Sequence, residues 1–133
     1  MKLPHLLRRT SPPSEEERLY VEAKEDQFWV CRHWAAPYLP TDERSLVAIS
    51  RLVLAGHLPV TGKRYESDGV NSGWFFSAGD RREEVTDLVH EHAVHLATLR
   101  PDLLRYLGLP VGWRCDREAA GENVRYEGID EDE

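Results

Sequence analysis

The run Ser67-Asp68-Gly69-Val70-Asn71-Ser72 followed by Gly73-Trp74-Phe75-Phe76-Ser77 decides how this chain folds. Asp68-Gly69 is the pair of a tight turn, so residues 73–77 are expected to return antiparallel to the extended segment 58–65 (LPVTGKRY) as a β-hairpin. Alternation with period two puts Trp74 and Phe76 on one face of the returning strand and Phe75 on the other. One set then builds a core, and the other is available to a partner. Ala78, Gly79 and Asp80 end the strand.

Upstream, Pro12 and Pro13 remove two backbone donors, so residues 1–13 read as a flexible N-terminal arm. Ser14 with Glu17 three residues on forms a capping-box signature and predicts a helix over about 15–25. Residues 27–34 (QFWVCRHW) are aromatic and β-branched enough to be expected as a strand, closed off by Pro37 and Pro40. Residues 46–49 (LVAI) read as a second strand, and 50–56 (SRLVLAG) as one helical turn or a loop ending on glycine. Downstream, 85–99 fits a helical face at Val85, Leu88, Val89, His92, Leu96 and Leu99, but also a short strand. The expectation is a helix over about 82–91 and a strand over about 93–97. Pro101 opens a helix over 102–107, stopped by Gly108 and Pro110. Residues 111–115 (VGWRC) form a last strand.

These elements describe an α+β protein, a single domain over 14–117 with a mostly antiparallel sheet and two or three helices packed on one face. The length of 133 residues suits one core. Charge is distributed unevenly. The formal net charge is -7, and the segment from Asp116 onward holds eight acids (Asp116, Glu118, Glu122, Glu127, Asp130, Glu131, Asp132, Glu133) against Arg117 and Arg125. Residues 118–133 therefore read as a solvated acidic C-terminal tail, the first place to look for an acidic binding surface. Net acidity disfavours nucleic acid as a partner, because such binding depends on basic side chains that release counterions from phosphate. No stretch approaches the run of about 20 apolar residues that spans a membrane.

Met1 to Arg9 lacks the apolar run of a secretory signal, so a cytoplasmic setting is expected, with Cys31 and Cys115 as reduced, buried, structural thiols. His90, Glu91, His92 and His95 crowd into HEHAVH, but Val94 stands where a zincin helix needs its second histidine. These histidines are expected at an element edge; the alternative is a metal site using His92 and His95. Neither Ser72 nor Ser77 sits in a nucleophile-elbow frame. No catalytic residue, metal ligand or cofactor is assigned.

The order Ser50-Arg51, Val53-Leu54-x-Gly56, Pro59-Val60, Ser72-Gly73-Trp74-x-Phe76-x-x-Gly79-Asp80, Arg100-Pro101-Asp102-Leu103-Leu104 and Leu109-Pro110-Val111-Gly112, with Arg117 soon after, covers about 46–118. It resembles the immunity protein 33-like domain of bacterial polymorphic toxin systems, a family first filed as a domain of unknown function. The resemblance implies a small cytoplasmic antidote that binds a cognate toxin domain and blocks it stoichiometrically, with no catalytic residues, as a monomer or small homo-oligomer. It also implies that Ser72, Gly73, Trp74, Phe76, Gly79, Asp80, Pro110 and Gly112 serve the fold. Where family members carry an Asp- and Asn-rich turn, this chain has Arg81-Arg82-Glu83-Glu84. Candidate partner-binding residues are Phe75, Trp113, Arg81, Arg82, Glu118, Glu122 and Glu127. A regulatory or scaffold domain without a toxin partner is the competing function.

Overall fold

The computed structural model describes residues 12–129. Among them six strands form one sheet: β1 (Leu46–Ser50), β2 (Val60–Arg64), β3 (Asn71–Ala78), β4 (Leu88–His92), β5 (Trp113–Glu118) and β6 (Gly121–Tyr126). Their order across the sheet is β4-β1-β3-β2-β5-β6; β1 pairs with β3 in parallel, and every other pair is antiparallel. Among the described residues four α-helical segments accompany them: α1 (Glu15–Glu22), α2 (Lys24–His33), α3 (Arg51–Leu54) and α4 (Leu96–Leu99). Short 3₁₀ turns span Val85–Asp87, Ala93–His95 and Pro101–Tyr106. The architecture is the expected α+β sheet with helices on one face, though with more helical pieces than two or three.

The hairpin forms where Asp68-Gly69 predicts it, with Lys63 opposite Phe75 and Arg64 opposite Trp74. Asp68 organises the turn by accepting from the backbone N–H groups of Asn71 (2.7 Å) and Val70 (3.0 Å) and from the Asn71 side chain (2.9 Å). Led by the Asn71 bonds, these contacts hold its carboxyl down at about 2. Trp74 and Phe76 stack within the core, ring centroids 5.1 Å apart, beneath Val47, Ile49, Val53 and the helices. Phe75 faces the other way. No member of the buried apolar cluster comes from that second sheet face, so one side of the sheet is packed and the other is not covered by a described helix.

Three local expectations are corrected. Residues 27–33 belong to helix α2, with Trp34 as its C-cap, and not to a strand: Ala23, Gln27, Val30 and Cys31 fall on one helical stripe and are buried, and that stripe outweighs the β propensity of the aromatics. The elements of 82–97 are exchanged, since 88–92 is strand β4 along β1 and 93–99 is helical. Both patterns were present in the sequence, and pairing with β1 selects between them by turning Val89 toward the core beside Ile49. Finally, 118–126 is not a tail. Strand β5 runs on to Glu118, turns through Ala119-Ala120, and returns as β6, whose Val124 is buried opposite Cys115.

The Ser14 capping box is formed, Ser14 Oγ accepting from the Glu17 N–H (3.1 Å) while Glu17 accepts from the Ser14 N–H (2.8 Å). The predicted helix 15–25 ends at Glu22, and α2 follows after Ala23. The helix expected over 102–107 is the 3₁₀ turn Pro101–Tyr106. The strand expected over 111–115 begins at Trp113. The arm lies outside the described residues save Pro12 and Pro13, as do Asp130 to Glu133.

Gly73 has φ +94°, and a Cβ there would lie 2.0 Å from the Tyr65 carbonyl oxygen. Gly73→Ala is therefore expected to destabilise the protein by about 3 kcal/mol or more, read as a lower urea midpoint.

Candidate functional site

The motif residues make hydrogen bonds within the fold. Ser72 donates its hydroxyl to the Leu46 carbonyl (2.8 Å) and accepts from the Trp74 N–H (3.1 Å), tying β3 to β1. The indole N–H of Trp74 donates to Thr41 Oγ1 (3.1 Å), which itself donates to the Leu107 carbonyl (2.7 Å). Buried Arg64 donates to three carbonyls, Leu39 (2.7 Å), Leu109 (2.8 Å) and Pro40 (3.1 Å). Gly112 has φ +92°, bonds the Arg64 carbonyl through its N–H (2.8 Å), and leaves no room for a Cβ beside the Tyr126 ring. Pro110 accepts from the Trp113 N–H (3.2 Å). Gly79 closes the end of β3 against Pro59, and Asp80 accepts from the His57 ring (2.8 Å), whose hydrogen bond lowers the carboxyl pKa.

Arg100-Pro101-Asp102 is a clamp. The Arg100 guanidinium makes a two-point contact with Asp102 (2.9 and 2.8 Å) and donates to the carbonyls of Val53 (2.7 Å) and His57 (3.1 Å), fastening the 3₁₀ turn to α3. Arg100 is buried, so losing its carboxylate partner leaves a poorly compensated charge.

The candidate partner-binding residues do not converge on one site. Phe75 and Glu127 belong to the uncovered sheet face, where Glu127 pairs with Lys63 (3.1 Å) and Arg114 (3.2 Å). Asp116 joins them through Arg114 (3.0 Å), Arg125 (2.9 Å) and Thr61 (2.9 Å). Burial alone would raise the Asp116 carboxyl, and the bonds from Arg114, Thr61 and Arg125 hold it below its usual range instead. Trp113 and Glu122 lie on the helix side: Trp113 packs against the core and Tyr126 (5.9 Å), and Glu122 bonds Tyr106 (2.6 Å) and Arg105 (3.2 Å). Arg81 and Arg82 are exposed after β3, and Glu118 is exposed beside the β5–β6 turn.

Both thiols are buried and unpaired, as expected. Burial pushes both thiol pKa values up, away from the reactive thiolate. The His92 and His95 rings sit 5.5 Å apart, with His95 against Glu16 (3.1 Å). Among the described residues no group of three or more His, Cys, Asp or Glu is placed to hold a metal ion, and no helix is long and apolar enough to cross a membrane.

A surface that the strand reading of 27–34 conceals is the outer side of α2. Phe28 and Trp29 are 41 % and 45 % exposed, values that matter because large aromatics are normally covered. The Trp29 ring is nevertheless held. His33 stacks on it at 4.6 Å with planes 10° apart, and the Arg105 guanidinium lies over it at 5.5 Å. Arg105 is fixed in turn by Glu122. The signal that finds this surface is the buried stripe at 23, 27, 30 and 31, which forces 28 and 29 outward.

The motif groups of this sheet are thus tied into hydrogen bonds, while Phe28 and Trp29 are left on the surface. A family model, the Imm33-like domain, matches residues 26–127, and the chain belongs to that family. The match extends the motif region of 46–118 to take in most of α2 and the whole of β6. Searches of curated proteins and of solved structures return no match.

Replacing Asp102 should cost about 2–3 kcal/mol, since it is the carboxylate of the buried Arg100 but is itself partly solvated. The Arg100 hydrogen bonds lower its native pKa, so its contribution is complete above about pH 5 and drains away as pH falls through the native value. Urea titrations between pH 7 and pH 2 should show a shallower acid loss for Asp102→Asn than for the wild type.

Proposed function

We propose that this protein is an immunity-type antidote that binds a cognate bacterial toxin domain in the cytoplasm and neutralises it as a one-to-one, non-catalytic inhibitor without a cofactor. The observation that carries this reading is membership of the Imm33-like family over 26–127. The motif chemistry agrees with it. Ser72, Arg100 and Asp102 spend their polar atoms on backbone carbonyls, a backbone N–H and each other, leaving other surface side chains to do the recognising. An inhibitor of this kind needs a stable scaffold and a complementary face, not a reacting group.

Coexpression with the toxin domain encoded in the neighbouring reading frame provides the test. Cells should survive only when the chain is present, and the two proteins should coelute as an equimolar complex on gel filtration. Death of the coexpressing cells with no complex formed overturns the reading.

A further inference from the structure

We propose that the outer side of α2, with Trp29 as its anchor, and the cleft beside it form the docking face for a cationic protein surface that inserts a lysine or arginine side chain. This deepens the antidote reading and rests on it. The anchor is pre-organised: Trp29 is exposed, yet its ring is held by the stacked His33 imidazole and by an Arg105 guanidinium that Glu122 fixes from β6. A partner that covers this ring gains the burial of a large aromatic without first having to order it. Tryptophan and arginine side by side are also the residue types that dominate binding energy at interfaces.

Arg105 is shared with a cleft of about 400 Å³ between the α1–α2 junction and the 3₁₀ turn Pro101–Tyr106. Its lining joins apolar Ala23, Ala97 and Leu104 to the carboxylates of Glu22 and Asp26, and the Arg117 guanidinium that also lines it is paired with Asp102 (3.4 Å). That combination suits a long cationic side chain, whose stem lies on apolar surface while its head meets carboxylates. Glu22 is paired with Arg18 (3.3 Å), so Asp26, exposed four residues further on, is the carboxylate that an incoming cation meets.

The surroundings favour the same partner. From Ser14 to Arg44 there are eight acids (Glu15, Glu16, Glu17, Glu22, Glu25, Asp26, Asp42, Glu43) against four bases (Arg18, Lys24, Arg32, Arg44). The uncovered sheet face offers a poorer site: its charges are already matched in the network of Lys63, Arg114, Asp116, Arg125 and Glu127. Opposite charge also speeds encounter and penalises wrong partners.

Isothermal titration with a catalytically dead form of the neighbouring toxin domain tests the face. Trp29→Ala should weaken the complex by about 30-fold or more. Asp26→Lys, an exposed change that leaves the core alone, should weaken it by about tenfold and flatten its salt dependence. Asn123→Ala, on the uncovered sheet face, should bind as the wild type does. Wild-type-like affinity in both α2 variants overturns the docking face while leaving the antidote reading intact. So does loss of binding in Phe75→Ala with Trp29→Ala unaffected, which moves the site to the sheet. If the wild type itself does not bind, both proposals fall. Concentration-dependent self-association that Trp29→Ala abolishes and the toxin domain does not compete away assigns the face to a second copy, and also overturns it. Circular dichroism melts identify any variant that has lost its fold, in which case Asp26→Lys carries the decision.

Discussion

The register of β3 is the constraint on which the rest of the structure depends. A slip of one residue would bury Phe75 and expose Trp74 and Phe76, exchanging every side chain between the two faces. The register is pinned at both ends of the hairpin. At the turn, the Asp68 carboxylate gathers three donors, and Gly73 lets β3 pass against the Tyr65 carbonyl where no other residue fits. Inside, the Trp74 indole reaches Thr41 and the Ser72 hydroxyl reaches β1, bonds that only this register permits. The parallel pairing with β1 and the antiparallel pairing with β2 then follow, and the helices have one apolar face on which to pack.

Polar groups in this core act as fasteners. Arg64 and Arg100 are both buried, but in different ways: Arg100 faces a carboxylate, while Arg64 is held by carbonyls from two separate loops. Each joins segments far apart in the chain, 39–40 and 109 to β2 in one case, α3 to the 3₁₀ turn in the other. Stretches with little regular structure are thereby tied to the strands and to α3. This explains why motif residues that look chemically capable, an arginine beside an aspartate and a serine beside a glycine, serve architecture.

Much of the fold was legible along the chain. The Asp-Gly turn, the alternation of Trp74, Phe75 and Phe76, the Ser14–Glu17 box and the proline-opened turn at 101 are local signals with local causes. The errors have local causes too. Phe28, Trp29 and Val30 favour a strand by propensity, and only the burial of Ala23, Gln27, Val30 and Cys31 against the 3₁₀ turn and its neighbours makes that segment helical. Strand β6 has one buried apolar side chain, Val124, and its two-residue turn is Ala-Ala, with none of the glycine or asparagine that marks a hairpin. Its acids therefore read as solvated, whereas Glu122 and Glu127 are ion-paired on opposite faces of the sheet.

The sequence by itself determined the fold class, the central hairpin and the family, because turn chemistry, side-chain alternation and motif order are properties of neighbouring residues. The tertiary structure alone decided that 121–126 of the acidic end is a strand, that 27–33 is helical, and that Trp29 stands on the surface against His33 and Arg105. Those outcomes depend on which distant segment supplies the apolar face or the opposite charge. Propensity at a single position is worth a few tenths of a kcal/mol to about 1 kcal/mol, and a buried stripe is worth several times that. Where the two conflicted, packing prevailed.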